Sequence, residues 1–121
     1  LRRAGFEVFD CWHAVGPEAD DYWKKYAQSR GQSLIEALQD YPAQHVFRYD
    51  EYHLTRCSIA VMVLPAGKSG HLELGVALGS GKPGYILLDK DPERYDIMYN
   101  FTTGMFDDVE DLVRALLENH A

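Results

Sequence analysis

The chain has 121 residues, the size of one domain around a single core, and its 12 Lys and Arg against 19 Asp and Glu leave a net charge of −7. That balance, with no basic run longer than Arg2-Arg3 or Lys24-Lys25, argues against binding a nucleic acid polymer, yet leaves room for one small anion in a local pocket. Hydrophobic residues at 46% and charged residues at 26% are the proportions of a packed domain and not of a disordered chain.

In chain order, Leu1 to Gly5 reads as the last turn of a helix closed by a glycine cap, followed by a strand over Glu7 to Cys11. A chain that opens on the end of a helix without a methionine is expected to lack an upstream segment, including an N-terminal strand. Pro17 to about Arg30 follows as a helix with Pro in its first turn and acids suited to the helix dipole. Tyr22, Trp23 and Tyr26 in it are expected on a core face. Ser33 to Gln39 and Ala43 to Cys57 are the next helical stretches. Ser58 to Leu64 and Gly84 to Leu88 are short apolar runs bounded by Pro and Gly, the pattern of buried parallel strands. A helix from Ser69 to Leu78 lies between them, ended by Gly79 and Gly81. A short strand near Thr103 to Phe106 and a helix from Asp107 to Glu118 close the chain.

Strands alternating with helices predict one α/β domain over residues 1–121, a doubly wound parallel sheet of Rossmann-like form, because parallel strands need crossover connections. The longest apolar run, Ile59 to Leu64, is six residues, against the roughly 20 that a bilayer-crossing helix needs, so no membrane partner is expected. Cys11 and Cys57 are too few for a disulfide scaffold or a four-ligand zinc site, and two free thiols fit a cytoplasmic protein.

Ligands of open α/β sheets bind outside the carboxyl ends of the strands, which points to the turn after Leu64. There Pro65-Ala66-Gly67-Lys68-Ser69-Gly70 leads into a helix carrying His71 and Glu73. Backbone N–H groups of such a loop hold a phosphate well, and Lys68 and Ser69 add a charge and a hydroxyl. It is not a P-loop: the Gly required six residues before the Lys is Met62 for Lys68 and Val76 for Lys82. His71-Leu72-Glu73 fits half of a zinc-deaminase signature, but no Pro-Cys-x-x-Cys follows. Leu72, Leu74, Val76, Ala77 and Leu78 surround Glu73 with apolar residues, and Gly70 and Gly75 permit close backbone approach. An acid held in that setting beside an anion-binding loop is a candidate nucleophile or general acid.

The run from Val61 to Pro83, with Glu73-Leu74-Gly75-Val76-Ala77 and then Gly81-Lys82-Pro83, resembles the core of the nucleoside 2-deoxyribosyltransferase family. Asp50, with Leu54 four residues on, is similar to the family's D-x-x-x-L-x-x-x-D segment entering that strand, although its second aspartate is Ser58 here. The resemblance implies a flavodoxin-like three-layer αβα fold, cleavage of an N-glycosidic bond of a nucleoside or nucleotide, and no metal or organic cofactor. It further implies Glu73 as nucleophile, Asp50 as the carboxylate that orients sugar and nucleophile, and a homo-oligomer in which residues near Met98 or Asn100 complete a neighbour's site. Transferases acting on free nucleosides carry an aspartate six residues before the nucleophile, where this chain has Gly67. Gly67, Lys68, Ser69, Gly70 and His71 are closer to the related 2′-deoxynucleoside 5′-monophosphate N-glycosidases, which favours a monophosphate substrate and hydrolysis over base transfer. Asp10 and Trp12, at the end of the first strand, are the candidates for the base pocket. A nucleotide-binding sensor without turnover and a glycohydrolase acting on NAD are the competing expectations.

Overall fold

The computed structural model describes residues 1–9, 17–89 and 96–120. It is an α/β structure of five α-helices and a three-stranded parallel sheet among those residues. Two compact units divide the chain: Leu1–Glu7 with Cys57–Ala121, and Val8–Arg56.

The first unit holds the sheet. Strand β1 (Ala60–Val63) pairs in parallel with β2 (Gly84–Leu87), which pairs in parallel with β3 (Gly104–Phe106), in the spatial order β1-β2-β3. The β1–β2 crossover contains a twelve-residue helix, Lys68–Gly79, and a second twelve-residue helix, Val109–His120, follows β3. Successive strand residues point to opposite sides, and the packing follows that alternation. Met62 and Ile86 gather with Leu74 of the crossover helix, joined by Leu64, Leu78 and Tyr99. Tyr85, one residue out of phase, gathers instead with Leu112 and Leu116 of the last helix, joined by Val61, Leu87, Leu1 and Phe6. Ile86 is completely buried, and burying a side chain of that size stabilises the fold by about 1.5–3 kcal/mol. Gly84 lets the crossover helix lie close, since a Cβ there would stand 2.8 Å from Leu74 Cδ1 and 2.9 Å from Leu78 Cδ2. Tyr85 Oη lies 2.7 Å from His120 Nε2, fastening the end of the last helix to the sheet.

The second unit is helical: α1 (Pro17–Ser29), α2 (Leu34–Gln39) and α3 (Tyr41–Arg56); the crossover and last helices are then α4 and α5. Ser33 and Glu36 form a reciprocal capping box at the start of α2, the Ser33 hydroxyl accepting from Glu36 N–H and the Glu36 carboxylate from Ser33 N–H. Among the described residues of this unit, the buried ones are the small Ala27, Ala37 and Ala43, which allow the helices close approach. Of the aromatic trio expected on a core face, Tyr22 is instead 67% exposed.

One further expectation changes. No strand forms over Glu7–Phe9, and Asp10 and Cys11 lie outside the described residues. Phe9 stacks on His53 of α3, centroid to centroid 4.0 Å with planes 9° apart, so its ring is engaged by a helix rather than by a neighbouring strand. The apolar residues around Glu73 on helix α4 are not all buried: Leu72 and Val76 are 71% and 56% exposed. Leu74, Ala77 and Leu78 face the sheet, and a helix beside one sheet buries only one such stripe. No helix of the described residues is long and apolar enough to cross a membrane.

Candidate functional site

Leu64-Pro65-Ala66 leaves β1 and delivers Gly67 as the N-cap of α4. The first N–H groups of any helix lack intrahelical partners, and a Ser, Thr, Asp or Asn cap normally accepts from them. Gly67 has no side chain to do so, and α4 begins without a side-chain cap. The glycine is not demanded by geometry: its φ of −84° suits any residue, and a Cβ there would meet nothing within 4 Å. Gly67, Lys68 and Ser69 are exposed, and an open depression of about 590 Å³ is bounded by Ala66, Gly67, Lys68, His71 and Leu72. Gly70 does serve close approach, because its Cβ would lie 3.2 Å from Ala66 Cβ. Nothing in the structure explains Gly75 by packing, since a Cβ there would meet open space.

His71 organises the loop from the helix side. Its Nδ1 lies 2.8 Å from the Gly67 carbonyl oxygen, and its Nε2 lies 2.7 Å from Tyr99 Oη. A carbonyl oxygen only accepts, so Nδ1 carries a proton and donates to it, while Nε2 meets a tyrosine hydroxyl that can either donate or accept. Tyr99 belongs to a 3₁₀ turn, Ile97–Phe101, whose start is capped by Asp96 Oδ1 accepting from Met98 N–H at 2.9 Å. The two rings also stack, with centroids 5.8 Å apart.

Glu73 stands on the same helix one turn beyond Ser69 and Gly70, half-buried, at the border of the stripe that faces the sheet. Asp50 is half-buried too, on α3 of the other unit. Asp10 and Trp12 lie outside the described residues. Met98 and Asn100 are both exposed on the 3₁₀ turn, flanking the Tyr99 that reaches His71. Sequence reasoning named those two neighbours and missed Tyr99. It also missed a smaller depression of about 280 Å³ at the carboxyl ends of β1 and β2, where Asp89 and Asp107 stand beside Leu64 and Leu88. The rule that led to the loop after β1 applies equally to the strand ends carrying those acids. Among the described residues no group of three or more His, Cys, Asp or Glu is disposed to hold a metal ion.

No family model and no curated protein matches this chain. The likeness to the deoxyribosyltransferases therefore rests on the motif residues themselves.

Proposed function

We propose that the protein cleaves the N-glycosidic bond of a 2′-deoxynucleoside 5′-monophosphate, with Glu73 as the nucleophile. The observation that carries this is the start of α4. A glycine cap, exposed Lys68 and Ser69, and a half-buried carboxylate one turn further on occupy a single helix. Uncapped N–H groups and the dipole favour an anion at that end. A carboxylate beyond it is suited to the sugar that carries the bound phosphate. In the retaining sequence the Glu73 carboxylate attacks C1′ as the base departs, giving a glycosyl ester, and water then opens the ester to free deoxyribose 5-phosphate and the carboxylate. The resemblance assigns Asp50 the role of orienting the sugar.

The alternation of β1 and β2 side chains between α4 and α5 supports the finer architectural reading, a flavodoxin-like sheet covered on both faces. In open α/β sheets ligands bind outside the carboxyl ends of the strands, and Gly67–Gly70 follows the carboxyl end of β1. A homo-oligomer belongs to the same proposal.

The deciding experiment incubates the protein with a panel of nucleosides and their 5′-monophosphates and follows free base. Release from monophosphates that disappears in Glu73→Gln supports the proposal. A new nucleotide formed when a second base is added would assign transfer instead of hydrolysis. Tight monophosphate binding without turnover, or nicotinamide release from NAD as the only activity, would overturn it.

A further inference from the structure

Helix α4 carries an outward stripe that its packing on the sheet leaves unused. Past Lys68 its fully exposed positions are Ser69, His71, Leu72, Gly75, Val76 and Gly79, none of them a carboxylate or an ammonium, in a chain with 26% charged residues. A glycine inside a helix is destabilising relative to alanine. Neither Gly75 nor Gly79 is required by its own chain: both have ordinary helical backbone, and a Cβ on either would meet nothing within 4 Å. His71 ties the stripe sideways to the 3₁₀ turn Ile97–Phe101, its Nε2 lying 2.7 Å from Tyr99 Oη. Leu72 and Val76, with Ile97, Met98 and Phe101 of that turn, are 56–75% exposed. Five side chains of that size present on the order of 500 Å² of apolar surface, at the upper end of what a monomer carries. Doubled, that area reaches the roughly 1,000 Å² of a specific interface.

We infer that this face is where two copies of the chain join, α4 against α4 about a two-fold axis at Gly75–Val76. In a two-fold contact residue i of one copy meets j of the other, and j meets i. With the helices antiparallel and the axis midway between positions 72 and 79, Leu72 stands opposite Gly79 of the partner subunit. Each leucine then fills the gap that the other copy's glycine leaves, while Gly75 lets the two backbones approach at the axis itself. That reciprocal fit suits a second copy better than an unrelated protein. So does the absence of charge, since two chains of net charge −7 repel unless they meet where neither carries charge. The expected oligomer thus gains a definite interface with α4 at its centre. The face stands whether or not the proposed reaction is correct, because neither Glu73 nor Asp50 takes part in it.

Analytical ultracentrifugation of the whole chain over about 1–200 μM gives the dissociation constant of the dimer, which the wild type is expected to form in that range. Gly79→Leu sets leucine on leucine and should weaken the dimer roughly ten- to a hundredfold, the penalty of an overpacked contact. Its melting temperature as a monomer should hold or rise, because a Cβ at Gly79 meets no neighbour and leucine is the better helix former. Thermal unfolding therefore separates a lost interface from a lost fold. Adding Leu72→Ala to Gly79→Leu exchanges knob and gap and should restore the dissociation constant to within about threefold of the wild type. Val76→Glu, which sets two carboxylates against each other near the axis, should abolish the dimer and probes the same face without touching a glycine. A wild type that stays monomeric throughout the range overturns the inference, as does a dimer indifferent to both Gly79→Leu and Val76→Glu, which would lie elsewhere on the molecule. Weakening by Gly79→Leu that Leu72→Ala fails to repair overturns the antiparallel pairing.

Discussion

Gly67→Asp is the substitution that separates the helix-cap argument from the functional one, because the two predict opposite consequences. The backbone at Gly67, with φ −84° and ψ −164°, is the extended conformation of an ordinary N-cap, and a side chain there meets no neighbour within 4 Å. An aspartate therefore fits, and its carboxylate accepts from the N–H groups of Ser69 or Gly70. Replacing glycine by a capping acid at a helix start is worth a few tenths of a kcal/mol for the cap and about 0.3–1 kcal/mol for the dipole. The midpoint of thermal unfolding should rise by about 2–6 °C. The same carboxylate would occupy the N–H groups assigned to the phosphate and repel it. One unit of charge at about 5 Å costs roughly 1 kcal/mol in water and about 3 kcal/mol at an effective dielectric near 20. Monophosphate kcat/KM should accordingly fall by about fivefold to more than a hundredfold, with the free-nucleoside value preserved or improved. Calorimetry and steady-state base release measure both sides. Unchanged monophosphate kinetics in a stabilised variant would refute the assignment of the phosphate to this helix end, and a destabilised variant would refute the cap geometry.

Glu73→Gln should lower base release by about a thousandfold or more with an unchanged circular dichroism spectrum, and Asp50→Asn by roughly ten- to a hundredfold; a Glu73→Gln variant that retains activity would remove Glu73 as nucleophile. Gly84→Ala forces a methyl to within 3 Å of Leu74 and Leu78, so a loss of about 1–3 kcal/mol is expected in denaturant titration; a neutral result would show that α4 rides further from the sheet. The Glu36 carboxyl is held below its usual range by the Ser33 N–H and then by the Ser33 hydroxyl, and that of Asp40 by the Gln32 amide and then by the Tyr41 N–H. Depressed in the folded state, they favour folding at neutral pH and cease to do so as pH falls below about 4. Glu36→Gln should flatten that acid limb, and a limb of unchanged steepness would count against the capping box. Burial pushes the Tyr85 hydroxyl above its ordinary value, so its contribution is intact below about pH 10 and is lost above it as the unfolded chain ionises first. Tyr85→Phe should abolish that alkaline loss, while costing about 1 kcal/mol at neutral pH for the bond to His120.

The elements that the sequence announced best are those whose signals are local. Apolar runs bounded by Pro and Gly became β1 and β2 within a residue or two, and Ser33 with Glu36 marks the start of α2 to the residue. Boundaries set by side chains elsewhere were less legible. Helix α3 begins at Tyr41, ahead of the expected Ala43, because Asp40 accepts from Tyr41 N–H through its carboxylate and from Gln44 N–H through its carbonyl, and Pro42 is tolerated in a first turn. Helix α5 runs on to His120, where the Tyr85 hydroxyl on β2 engages the imidazole, a contact 35 residues away. At Glu7–Phe9 the alternation of Phe6, Glu7 and Val8 has the period of a strand, but a period specifies only which face a residue would take. Pairing needs a neighbour, and Phe9 is committed to His53.

The candidate site divides along the same line. Gly67 to Glu73 are consecutive on one loop and helix, so their proximity follows from the helix period alone and was readable in the sequence. Asp50 and Leu54 share a face of α3 by the same period, but they belong to a different unit from Glu73, and no periodicity relates the two. Tyr99 shows why the third part escaped. In a 3₁₀ turn three successive residues point about 120° apart, so of Met98, Tyr99 and Asn100 one alone can face α4. Which one does so depends on the packing that draws Tyr99 towards Met62 and Leu74, a fact of the tertiary fold. His71 carried the only local hint, since a histidine four residues after a glycine cap can return to the cap carbonyl and still offers a second nitrogen that must find a partner. Seeking that partner among hydroxyl-bearing residues would have narrowed the choice around Met98 and Asn100 to Tyr99, whose hydroxyl ties the loop to a turn 28 residues away.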